Sequence, residues 1–71
     1  MIVRTADELT AIVRDRRHEL GITQEELADI IDVHRAFVSQ LERGKISVRF
    51  DLLLRLVQAL GLDLELRPRG Q

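Results

Sequence analysis

Apolar positions along the chain recur at helical spacing in four blocks, and then the period changes. Leu9, Ile12, Val13 and Leu20 mark one face of a first block, and Leu27, Ala28 and Ile31 share a face of the second at i, i+1 and i+4. Phe37, Val38 and Leu41 do the same in a third block. Leu53, Leu56, Val57 and Leu60 form the i, i+3, i+4, i+7 stripe of a fourth, widened by Leu52 and Leu54. After it, Leu62-Asp63-Leu64-Glu65-Leu66-Arg67 alternates strictly between apolar and charged residues until Pro68, the pattern of a β-strand with one buried face.

Punctuation agrees with these blocks. Thr5-Ala6-Asp7-Glu8 and Thr23-Gln24-Glu25-Glu26 both have the T-x-x-E form of a capping box, which starts the second helix at Gln24. Gly21 and Gly61 stand where a left-handed residue closes the first and fourth helices. The turn Asp32-Val33-His34 leads into a third helix running from Arg35 to Gly44, and the fourth spans Phe50 to Leu60. The expected architecture is an all-α domain over residues 1–71, with a four-helix bundle at 5–61 and a strand at 62–67.

A single strand has no partner within the chain, and its backbone N–H and C=O groups need one. The simplest partner is the same strand of a second copy, antiparallel about a two-fold axis, with Leu62, Leu64 and Leu66 as the dimer residues. Pairing centred on Leu66 sets Glu65 opposite Arg67 of the second copy, whereas centring on Leu64 opposes Asp63 to Glu65. The first register is electrostatically preferred. A chain of 71 residues also has a marginal core when alone, so a shared interface adds burial.

The second and third helices with their tight turn form a helix-turn-helix pattern. Its third helix leaves Arg35, Ala36, Ser39, Gln40 and Arg43 pointing outward, and Phe37 is assigned to the core. Arg can take guanine O6 and N7 in a major groove, and Gln can take adenine N6 and N7. Arg35 and Gln40 are therefore the expected base readers, with Ala36 and Ser39 tuning them. Net charge is −1, which does not by itself suggest a polyanion partner, but its distribution does. Between Arg35 and Arg49 the charged residues are Arg35, Glu42, Arg43, Lys45 and Arg49, while Glu25, Glu26, Asp29 and Asp32 make the preceding helix acidic. Gln24, His34, Arg43, Lys45 and, more weakly, Arg49 are the expected phosphate contacts.

Other chemistry is not expected. There is no Cys, and His18 and His34 lack zinc spacing, so neither metal nor cofactor is expected. No Gly-rich phosphate loop or Ser–His or Cys–His pairing suggests an enzyme. Met1-Ile2-Val3-Arg4 is too short for a signal core, and no apolar run approaches ~18 residues, so a cytoplasmic protein without membrane contact is expected.

Thr23-Gln24-Glu25-Glu26-Leu27-Ala28, Val38-Ser39-Gln40-Leu41-Glu42-Arg43-Gly44-Lys45 and Leu53-Leu54-Arg55-Leu56-Val57-Gln58-Ala59-Leu60-Gly61-Leu62 resemble the Cro/Xre helix-turn-helix family over about Leu9 to Leu62. With Phe37 and the alternating tail, the chain is most similar to the HipB-type antitoxins. That resemblance implies a small phage-repressor-like domain that dimerises, binds double-stranded operator DNA and represses its own toxin-antitoxin operon. It also implies a HipA-type Ser/Thr kinase toxin as partner, and a structural ion pair between Arg17 and Glu42. The alternatives are an orphan or phage-type repressor without a toxin, and an interaction module that neutralises a toxin with little DNA binding. Three positions depart from the family pattern: Asp32 replaces a Gly in the turn, and His34 and Arg49 replace Ser or Thr caps.

Overall fold

The computed structural model describes residues 2–70. It contains α1 (Ala6–Glu19), α2 (Gln24–Ile31), α3 (Arg35–Glu42) and α4 (Phe50–Ala59), and among the described residues there is no strand. Helix α2 packs on both α3 and α4, and α1 packs on α3. Val13 of α1, Leu27, Ala28 and Ile31 of α2, Val38 and Leu41 of α3, and Leu56 and Leu60 from α4 and its cap form the core. The apolar stripes of the four blocks thus meet in one place, which is what makes short helices stable.

Local signals start and stop the helices. Thr23 Oγ1 accepts the Glu26 N–H at 3.0 Å while the Glu26 carboxylate accepts the Thr23 N–H at 2.8 Å, a complete capping box. The box expected at Thr5 is only half formed. Thr5 Oγ1 accepts the Glu8 N–H at 3.1 Å, but the Glu8 carboxylate reaches one residue further back, to the Arg4 N–H at 2.7 Å. All four helices end with the paired backbone bonds of a Schellman turn, for example Lys45 N–H to Gln40 O and Gly44 N–H to Leu41 O, both 2.9 Å, after α3. That turn corrects the expected length of α3, which stops at Glu42 and gives Arg43 and Gly44 to the cap. Leu20 is also corrected from core to surface, 43% exposed: it caps α1, and Ile22, beyond the turn, packs inward instead.

The expected strand is the main correction. The Leu62 N–H closes the α4 turn on Val57 O at 3.0 Å, and Leu62 packs against the core. Beyond it, residues 63–68 have no regular secondary structure, and Leu64 and Leu66 are exposed. Arg67 pairs with Glu65 of its own chain, through bonds of 2.9 and 3.3 Å. The physical reason is that a ladder needs two strands, and one chain supplies one segment. Without a facing strand, the nearest opposite charge lies two residues away.

Candidate nucleic-acid interface

The turn between α2 and α3 sets the direction of the outward-facing helix. Asp32 caps α2 with φ 62°, the left-handed region that Asp tolerates better than most residues. The next N–H, of Val33, returns to Ala28 O at 2.9 Å, and the Val33 side chain packs against the core. His34 then enters α3 in extended conformation, and its side chain makes no capping bond. The first turn of α3 therefore lacks the side-chain acceptor that a Ser or Thr would offer.

Within α3, Val38 and Leu41 are buried and Phe37 is half-buried against the core, as its spacing predicts. Arg35, Ala36 and Gln40 are exposed on the opposite side, with Ser39 half-buried between them. His34, Arg43 and Lys45 are exposed at the two ends of the helix. Arg49, the N-cap of α4, is already engaged: Nη2 donates to Asp51 Oδ2 at 3.2 Å. Gln24 is half-buried at the start of α2, where its amide nitrogen donates to Glu42 Oε1 at 3.1 Å. Sequence reasoning assigned Gln24 to a phosphate and missed this bond, because it joins residues 18 apart that become neighbours only after α2 and α3 pack.

Behind the exposed strip lies a buried polar network. Arg17 Nε donates to Glu42 Oε2 at 2.6 Å and Arg17 Nη2 to Glu42 Oε1 at 3.0 Å, a two-pronged pair with both residues under 10% exposed. The remaining donor, Nη1, reaches Ile22 O at 2.9 Å, and Nη2 lies 3.2 Å from His18 Nε2. One guanidinium thus joins α1, the loop after it and the end of α3. Burial pushes the Glu42 carboxyl up, but its bonds to Arg17 and Gln24 outweigh that and hold it below the usual carboxylate range. The bond to Glu42, partly opposed by burial, raises the Arg17 guanidinium. Glu42 is in this way kept ionised and turned inward, which leaves the outer strip of α3 without an acidic side chain.

Two further arginines clamp helix ends. Arg16 Nε donates to Leu60 O at 2.9 Å, and Arg55 Nη1 to Ile31 O at 2.8 Å. Neither was legible from spacing. For the second there was a signal: α2 has an acidic first turn and no basic residue of its own in the last. Beside α3, an open depression runs from the end of α1 across the start of α2 to Arg35, lined by His18, Gln24 and Glu25 among others. Among the described residues, no group of His, Cys, Asp or Glu could hold a metal ion, and no helix is long and apolar enough to cross a membrane.

A helix-turn-helix family profile matches residues 13–66, the span that holds α2, the turn, α3 and α4. An uncharacterised HTH-type transcriptional regulator of Methanothermobacter thermautotrophicus is 42% identical over 55 residues, covering 78% of this chain and 80% of that protein. The clp gene regulator ClgR from C. glutamicum superposes with a TM-score of 0.78 at 35% identity, over 86% of this chain and 80% of the other. A chain of a HipA-HipB-O2-O3 complex superposes over 99% of both chains with a TM-score of 0.86 at 23% identity, a likeness of fold. The chain belongs to the Cro/Xre-type helix-turn-helix family of DNA-binding transcriptional regulators.

Proposed function

We propose that this protein is a sequence-specific repressor that binds double-stranded operator DNA as a homodimer, and that it is the antitoxin of a HipA-type kinase toxin. The observation that carries the DNA reading is the exposed strip Arg35, Ala36, Ser39 and Gln40, on a helix whose other side is fixed by buried Val38 and Leu41 and by the Arg17–Glu42 pair. Rigid support of this kind keeps a reading side chain in one orientation, and a two-pronged contact to a base requires that. Arg43 and Lys45, exposed where α3 ends, then meet phosphates together with Gln24 and His34, while Arg49 must first leave Asp51.

Arg35→Ala and Gln40→Ala are each expected to weaken operator binding by about 1–3 kcal/mol and to relax preference at one base step. A gel shift at matched salt against the duplex that wild type selects from a random DNA library measures this, and wild-type affinity in both variants would remove α3 as the reader. Lys45→Ala is expected to weaken all sequences alike and to make the slope of log K against log salt shallower by ~1. An unchanged slope would take Lys45 off the phosphate backbone.

The antitoxin assignment is supported by likeness of fold to a chain of the HipA-HipB-O2-O3 complex over 99% of both chains. A second reading, a regulator with no toxin, is favoured by the higher identity to ClgR. Tagging the protein in its native host and identifying what co-purifies distinguishes the two: a HipA-type kinase supports the first. Recovery of DNA binding with no such kinase supports the second.

A further inference from the structure

Helix α2 ends just before the reading helix begins, and its own sequence leaves that end electrostatically unsatisfied. The last turn has no basic residue, and exposed Asp29 and Asp32 add negative charge where the helix dipole is already negative. The missing cation comes from α4. Arg55 Nη1 donates to Ile31 O at 2.8 Å, a bond between residues 24 apart in sequence. Ile31 is fully buried, and its carbonyl precedes the left-handed bend at Asp32 and the uncapped start of α3 at His34. The chain entering α3 is therefore held by the Asp32 N–H on Asp29 O at 3.3 Å, the Val33 N–H on Ala28 O and, as its one side-chain bond, the guanidinium of Arg55.

We propose that Arg55 is a positioning residue for DNA recognition, fixing the end of α2 and through it the angle at which α3 presents Arg35 and Gln40. This rests on the reading of α3 as the base-contacting helix. Arg55 also makes α4 a second support of the reading head, because the bond links α4 directly to the turn. The molecule contains an internal control. Arg16 makes the same type of bond, Nε to Leu60 O at 2.9 Å, but at the end of α4 rather than at the turn before α3.

The test compares the full-length wild type with Arg55→Gln, Arg55→Lys and Arg16→Gln for affinity to operator and to unrelated duplex DNA at several salt concentrations, with a thermal melt of each. Wild type must first prefer operator. If it is folded and does not, the reading of α3 falls, and this inference falls with it before any variant is compared. Given that preference, Arg55→Gln is expected to lose about tenfold in operator affinity with unrelated DNA and the salt slope unchanged, and Arg55→Lys to recover part of the loss. Arg16→Gln is expected to lower the melting temperature and keep the specificity ratio. An equal loss on both DNAs with a salt slope shallower by ~1 would make Arg55 a phosphate contact and overturn the proposal. So would an unchanged specificity ratio in Arg55→Gln. If Arg55→Gln does not fold, the ratio in Arg55→Lys decides.

Discussion

Replacing Glu42 with Ala is expected to destabilise the protein by about 3–5 kcal/mol, a large part of the ~5–15 kcal/mol that holds a domain together. The cost comes less from the lost attraction than from what is left behind. Arg17 is 7% exposed, and without Glu42 its charge would face only the Ile22 carbonyl and the His18 ring. Gln24 would lose its acceptor as well. Arg17→Ala should cost a similar amount by stranding the carboxylate. A double variant with Met at Arg17 and Leu at Glu42 should recover most of the loss, because two apolar side chains leave no unpaired charge. Urea unfolding of the two single variants and of the apolar pair completes the comparison. Wild-type stability in Glu42→Ala would mean that the ion pair contributes nothing to the fold.

The same pair fixes an acid dependence. Because the Glu42 carboxyl is held below its ordinary value of 4.5, its contribution is complete above that value and is lost as pH falls through the lower, folded one. Arg17, raised from an already high value, contributes throughout the accessible range and adds no slope. The stability gap between wild type and Glu42→Gln should therefore be constant near neutrality and narrow only in acid. Circular dichroism melts at a series of pH values would show it.

What could be read from the sequence was local. The capping box at Thr23, the left-handed stops at Gly21 and Gly61 and the inward set Val38 and Leu41 each depend on residues within a few positions of one another, so spacing determines them. The Arg17–Glu42 pair came from family resemblance, since no spacing rule links residues 25 apart. Gln24 on Glu42, Arg16 on Leu60 O and Arg55 on Ile31 O were not legible for the same reason: each is made by tertiary packing, and a long polar side chain has many equivalent exposed positions before packing removes them. The tail illustrates the opposite error. Its alternation is real, but a strand is defined by a pair, and the segment alone cannot show that it has one.

Glutamate at both Leu64 and Leu66 is expected to leave the bundle folded and to abolish tight operator binding. Leu64 is 46% and Leu66 84% exposed, so the change removes little core contact and should alter monomer stability by no more than about 0.5 kcal/mol per position. Truncation after Gly61 is a poorer test, because it also removes Leu62, which packs on the core. If the tail is part of a dimer interface, four new charges per dimer would face one another in what had been an apolar contact, and association should fail. A dimer on two half-sites gains about 10²–10⁴ in affinity over one domain on one half-site, so the monomeric variant should lose a factor in that range. Sedimentation should give a mass near 8.2 kDa for the variant and twice that for wild type. The exposed Phe50 and half-buried Leu54, one turn apart on α4, form another apolar stripe available for pairing. A Leu64→Glu, Leu66→Glu protein that still sediments as a dimer would transfer the interface there, and Phe50→Glu would then be the substitution that separates the copies.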